Sequence, residues 1–138
     1  MYFGICIRLK DWRLVRLFVT KIFSRFMDKV GLRDRDLVTA SIEISDGLFD
    51  ADLGGGLFKK RLARAGAGKA GGFRALLAFR AADRLIFIYG FPKNARENIR
   101  EDELKALRLL AKELLSYDAE QLEKAVNGAA IRELKIDD

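Results

Sequence analysis

Eleven lysines and arginines crowd residues 56 to 100, among them Lys59, Lys60, Arg61, Arg64, Arg74, Arg80 and Lys93, against only Asp83 and Glu97. The whole chain is +6, so this stretch at +9 leaves the remainder at −3. Cations in such excess do chemistry on an anion. Phe73, Ala75, Leu77 and Phe79 alternate with Arg74, Leu76, Ala78 and Arg80, which puts both arginines on one face of a strand. Two guanidinium groups on an interior strand, beside strands that supply further cations and Tyr89, need anionic partners, and the nearby chain offers only Asp83 and Glu97. An external anion, phosphate above all, meets the deficit.

The missing residue types narrow the chemistry further. The chain has no histidine and one cysteine, Cys6, so the usual zinc and iron sites, the His-based nucleophile constellations and any internal disulfide are excluded. Catalysis must use Lys, Arg, Tyr, Asp or Glu. Residues 1 to 7 are apolar, but Arg8, Lys10 and Asp11 break the run before it can serve as a secretion signal or a membrane span. A reducing cytoplasm is the simplest compartment, with no membrane partner.

The elements that must position these residues can be read from periodicity. At 138 residues, half of them apolar and one of them proline, the chain fits a single folded domain over 1–138. Residues 13 to 20 favour a first strand. Phe23, Phe26, Met27 and Val30 then mark a helix closed by Gly31, and Asp34 caps a second with Leu37, Ser41, Ile44 and Leu48 on one face. Residues 52 to 56 break the pattern. Strands are expected over 57–64, 73–80 and 85–91, the last apolar on both parities and so covered on both sides. Residues 66 to 72 form a glycine-rich turn, Ala82-Asp83 a tight one, and Pro92 ends the third of these strands. Helices over 101–116 and from a capping box at Asp118 and Gln121 to Asn127-Gly128 follow, with 131–136 as an additional edge strand. The expected class is α+β: a small antiparallel sheet, made of a three-strand meander with the N-terminal strand at its edge, and helices on one side.

Two motifs have plainer readings. Gly68-Lys69-Ala70 is no phosphate loop, because Ala63 stands where the Walker pattern needs a glycine and Ala70 where it needs Ser or Thr. A hairpin turn accounts for it. In Lys59-Lys60-Arg61 the middle residue faces opposite to its neighbours, so one face at most belongs to a site, and edge protection by lysine explains the run taken alone.

Phe58-Lys59-Lys60-Arg61, then residues 71 to 80 with their Gly-Gly-Phe-Arg opening, then Tyr89-Gly90-Phe91-Pro92-Lys93-Asn94, together resemble the RelE/ParE superfamily of toxins, in particular a HigB-like RelE branch. The segment 50–56 and Asp102 to Arg108 share that resemblance, which covers about residues 14 to 136. Residues 1 to 12 lie outside it, as an extension or a misassigned start. The resemblance implies a small antiparallel sheet packed on two N-terminal helices. It also implies a ribosome-dependent endoribonuclease that cuts mRNA in the ribosomal A site, neutralised by an antitoxin, of helix-turn-helix type, from a neighbouring gene. By position, Arg74 matches the arginine after the aromatic of the third strand, Tyr89 stands where relatives place His or Tyr, and Lys93 matches the basic residue beyond that strand. Lys60 and Arg61 match the basic second strand, whose register varies; Arg61, Arg64 and Arg80 are the expected RNA-binding residues.

Those residues can run a cleavage that needs neither metal nor cofactor, with the 2′-hydroxyl of RNA attacking the adjacent phosphorus. Arg74 stabilises the phosphorane, an effect of about 10²- to 10³-fold for one such donor. Lys60 or Tyr89 takes the 2′ proton, and Lys93 or Arg80 protonates the leaving oxygen. Lys and Tyr ordinarily titrate near about 10, so the surrounding cations must depress one of them. Tyr89 can alternatively stack on a base. A ParE-like gyrase inhibitor and a non-catalytic RNA or ribosome binder are the alternatives. The acidic segment 101–138, with ten Asp/Glu against six Lys/Arg, is a solvated face or a competitor for the basic sheet, or else the antitoxin supplies the anionic cover.

Overall fold

The computed structural model describes residues 15–63, 72–81, 83–93 and 99–135. The expectations for residues 1–12, Arg64, Lys69, most of the glycine-rich turn and Ile136 lie outside them. Strand β1 (Arg16–Thr20) leads into α1 (Lys21–Val30) and α2 (Asp34–Ser45). Then come β2 (Ala51–Gly54), β3 (Leu57–Leu62), β4 (Phe73–Arg80) and β5 (Arg84–Pro92), followed by α3 (Glu101–Ser116), α4 (Ala119–Asn127) and β6 (Ile131–Leu134). The six strands form one sheet in the order β2-β3-β4-β5-β1-β6. All neighbours are antiparallel except β1 and β5. The class is α+β, as expected.

Three details differ from the expectation. First, β1 is interior, flanked by β5 and β6, with Phe18 and Val19 fully buried. Leu17 and Val19 bury one face of β1 and Phe18 the other, as in a strand covered on both sides. Second, helices cover both faces. Leu17, Val19, Ala75, Leu77, Leu85 and Phe87 join α1 and α2 in one core, while Phe18, Leu76, Ala78, Ile86 and Ile88 join α3 and α4 in another. The central strands are apolar on both sides and need two covers. Third, residues 51–54 pair with β3 as an edge strand where a break was expected. Gly54, Gly55 and Gly56 all have positive φ (90°, 65° and 87°), so the turn that joins the two strands takes three glycines in a row. Arg108 Nε donates to the Leu53 carbonyl at 2.6 Å and fixes that hairpin to α3.

Local signals explain the helix ends. Thr20 Oγ1 accepts the Phe23 amide at 3.1 Å as the N-cap of α1, and Gly31 ends the helix in the left-handed region at φ 80°. Asp118 and Gln121 exchange backbone and side-chain bonds at 2.8 and 2.9 Å to start α4. At α2 the cap differs by one position: Arg33 is the N-cap residue, and Asp36 accepts its amide at 2.8 Å. Asp34 instead holds Arg132 on β6. Fully buried Phe18, Phe23 and Phe87 anchor the two cores, each contributing about 1.5–3 kcal/mol of burial.

Candidate functional site

The face covered by α3 and α4 carries the candidate site at one end of β3, β4 and β5. On β3, Phe58 and Leu62 turn to the α1–α2 core, so the alternation sends Lys59 and Arg61 to the opposite face. On β4, Leu76 and Ala78 belong to the α3–α4 core, and Arg74 shares their parity. Arg61 and Arg74 stand directly opposite each other in the β3–β4 register. Two like charges so placed repel, and a shared anion removes the repulsion. Among the described residues the carboxylate that meets Arg61 is a distant one, Asp50 at 3.8 Å, and 55% of the arginine side chain stays exposed. Arg74 is half-buried, and its Nη1 is buried with no hydrogen-bond partner.

Tyr89 reaches this face through an irregularity. Leu76 pairs with Tyr89 but Leu77 with Phe87, so Ile88 is an extra residue in β5, a β-bulge. Leu85 and Phe87 face α1 and α2; past the bulge Tyr89 and Phe91 pack with the opposite core, their rings 5.9 Å apart. Without it, Tyr89 would share the parity of Phe87. Thr20 Oγ1 donates to the Ile88 carbonyl at 2.8 Å and so satisfies an acceptor where the ladder is disrupted. Gly90 completes the arrangement. A Cβ there would lie 2.5 Å from ring carbons of Phe26 and 3.0 Å from Phe23, so only glycine lets α1 lie this close to β5. Lys93 lies one residue past β5, exposed, its amide bonded to the Gly72 carbonyl at 3.2 Å.

The family model described as the RelE toxin of the RelE / RelB toxin-antitoxin system matches residues 15–134. The chain belongs to the RelE toxin family. It is a toxin of a toxin-antitoxin system. No curated protein matches the sequence.

Within this RelE toxin the basic stretch divides. Arg61, Arg74, Tyr89 and the Lys93 position gather at one end of the sheet. Lys60 does not join them. It faces α2, 5% exposed, and its Nζ binds Glu43 at 2.8 Å across the sheet from Arg74. Its parity is that of Phe58 and Leu62, a signal already present in the sequence and outweighed there by the variable register of the basic strand. Lys59 was set aside as an edge residue, yet β2 covers that edge and Lys59 lies half-buried on the Arg74 face. Arg80 shares Arg74's face but stands at the other end of β4, about 20 Å away along the strand. Its Nε donates to Asp83 at 2.7 Å. Arg84 is spent on structure: buried to 7% exposure, it donates from Nη1 to the carbonyls of Leu114 and Tyr117 at 3.1 and 2.8 Å and tethers the end of α3. Among the described residues there is no cluster of three metal-ligating side chains, and no helix is long and apolar enough to cross a membrane.

Proposed function

We propose that this RelE toxin is an endoribonuclease that cuts mRNA on the ribosome, and that the scissile phosphate binds between Arg74 and Arg61. The observation that carries the reading is the buried, unpartnered Nη1 of Arg74 facing a second arginine across the strand pair. A phosphate offers two oxygens to a guanidinium fork and cancels the repulsion between the arginines. With Lys60 across the sheet and Arg80 held by Asp83, the proton chemistry falls to Tyr89 and Lys93. Tyr89 takes the 2′ proton, the 2′ oxygen bonds to phosphorus, and Lys93 protonates the departing 5′ oxygen to leave a cyclic phosphate. Lys59 adds positive charge on the same face. The partner is an antitoxin of helix-turn-helix type encoded beside the toxin, as in the HigB-like branch.

The test is primer extension on mRNA from a translating-ribosome reaction, comparing wild type and Arg74→Ala, each freed of antitoxin. Cleavage should fall by about 10²- to 10³-fold. Equal cleavage removes Arg74 from the chemistry. Gyrase inhibition without any cleavage would transfer the chain to a ParE-like activity. Salt-sensitive RNA binding without cleavage would leave a binding protein.

A further inference from the structure

The Arg80 end of the sheet is finished differently on its two faces. Toward α3, Leu57 and Ala78 are fully buried, and Leu115 lies so close that a Cβ on Gly56 would meet it at 2.5 Å. Toward the other face, their neighbours Phe58 and Phe79 stay half-buried. Glu43, near the end of α2, already reaches Lys60, and the helix stops at Ser45. Beyond it the chain lays down Phe49, whose ring meets Phe58 edge-on at 4.7 Å, and Phe58 meets Phe79 in the same manner at 6.0 Å. All three rings keep part of their surface in water, and Leu48, the residue before Phe49, is 59% exposed. A ladder of aromatic rings left partly wet, with an exposed leucine next in the chain, is the kind of patch that a protein partner covers.

The charge around the rings restricts what that partner carries. Residues 43 to 52 hold four acids, Glu43, Asp46, Asp50 and Asp52, and no cation, in a chain of net +6. Asp46 caps the C-terminal end of α2, whose last turn contains no base, so an acid stands where the helix dipole favours a cation. Asp52 pairs with Phe58 in the β2–β3 register and so shares its face, exposed. Asp50, also exposed, follows Phe49 and stands 3.8 Å from Arg61. The cations of the same strands are held or turned away: Lys60 is bound to Glu43, Arg80 to Asp83, and Lys59 and Arg61 project from the opposite face. An acid rim repels RNA, and it repels the same rim on a second copy in a symmetric pair. It fits a segment that sets lysines or arginines beside aliphatic or aromatic anchors. The system to which this toxin belongs supplies a protein partner, the antitoxin.

We propose that the ladder of Phe49, Phe58 and Phe79, with Leu48 and its acid rim, is a docking surface for a cationic, amphipathic segment of the antitoxin. It lies across the sheet from Arg74, so an antitoxin held there grips the toxin without entering the candidate site. The proposal rests on the antitoxin reading above and not on the nuclease one. The experiment titrates the full-length toxin with the purified product of the gene beside it, by calorimetry over a salt series. It compares wild type, Asp46→Lys/Leu48→Ser, and Leu109→Ser, which alters a leucine 63% exposed on α3, the helix that covers the other face. Both residues of the double variant are exposed, and Asp46→Lys removes the unfavourable charge at the end of α2, so it should melt within about 3 °C of wild type. Its affinity for the antitoxin should fall about 30-fold or more and depend less steeply on salt. Leu109→Ser should bind within about twofold of wild type. Wild-type affinity in the double variant overturns the surface and leaves the antitoxin reading standing, as does an equal loss from Leu109→Ser. Absence of binding by wild type overturns both. If the double variant keeps its antitoxin affinity but turns a wild-type dimer into a monomer in sedimentation, the ladder belongs to a second copy. If it keeps that affinity but no longer co-sediments with ribosomes, the ladder belongs to the ribosome. Either result overturns the proposal.

Discussion

Arg74 and Arg80 occupy the same face of the same strand and differ in everything that decides what a cation can do. At the Arg80 end, Asp83 lies in the adjoining turn and receives both Arg80 and Arg84, while Arg84 also satisfies the last carbonyls of α3. Positive charge there is consumed by the fold. Arg80 stands opposite Arg84 as Arg74 stands opposite Arg61, but at the Arg74 end no carboxylate is shared between the two arginines as Asp83 is, among the described residues, and a buried guanidinium nitrogen is left without a partner. Residue type and parity are the same in the two places; the neighbours differ. An excess of cations in a sequence is thus a poor guide to a site until the internally paired ones have been subtracted.

The contrast can be broken in four ways. The largest effect belongs to Arg74: its alanine variant should lose about 10²- to 10³-fold in mRNA cleavage, while Arg80→Ala, assayed beside it, should stay within about threefold of wild type. Comparable losses from both would erase the distinction between the two ends. Next is stability at the paired end. Arg84→Ala strands the Leu114 and Tyr117 carbonyls, and urea unfolding should report a loss of about 3 kcal/mol. A third variant, Thr20→Val, removes both the α1 cap and the donor to Ile88 at the bulge. It should cost about 2 kcal/mol in the same assay and broaden the Tyr89 ring resonances in NMR spectra. An unchanged Tyr89 would show that the bulge does not need Thr20. Smallest of all is Lys60→Met. Removing Lys60 takes the ammonium away from Glu43, whose side chain is 27% exposed and can turn to water, so stability should fall by about 1 kcal/mol and cleavage stay intact. A large drop in cleavage with normal melting would return Lys60 to the chemistry.

Much of the frame was legible along the chain. The α1 face, the Gly31 stop, the Asp118–Gln121 box and the alternation of β4 are local patterns, set by a few neighbouring residues. What was illegible involved partners far apart in sequence. Nothing in residues 13 to 20 says that β5 will lie parallel beside them, because an apolar strand accepts either neighbour. The bulge at Ile88 left no trace either: β5 is apolar on both parities, so no polar residue marks the register. Lys60 is the instructive intermediate case. Its parity with Phe58 and Leu62 pointed inward, but a buried lysine is credible only once Glu43 is seen to meet it from α2.

The sequence by itself determined the elements other than β2, the two-sided cover that β5 requires, the exclusion of histidine and disulfide chemistry, and the shared face of Arg74 and Arg80. These follow from composition and from periods of 2 and 3.6 residues, which need no knowledge of distant contacts. Only the tertiary structure decided which cations are neutralised, that Lys60 and Arg74 are on opposite faces, and that Tyr89 shares the face of Arg74. Availability of a charge is a property of what packs against it, and a single inserted residue in a strand reverses every side chain beyond it.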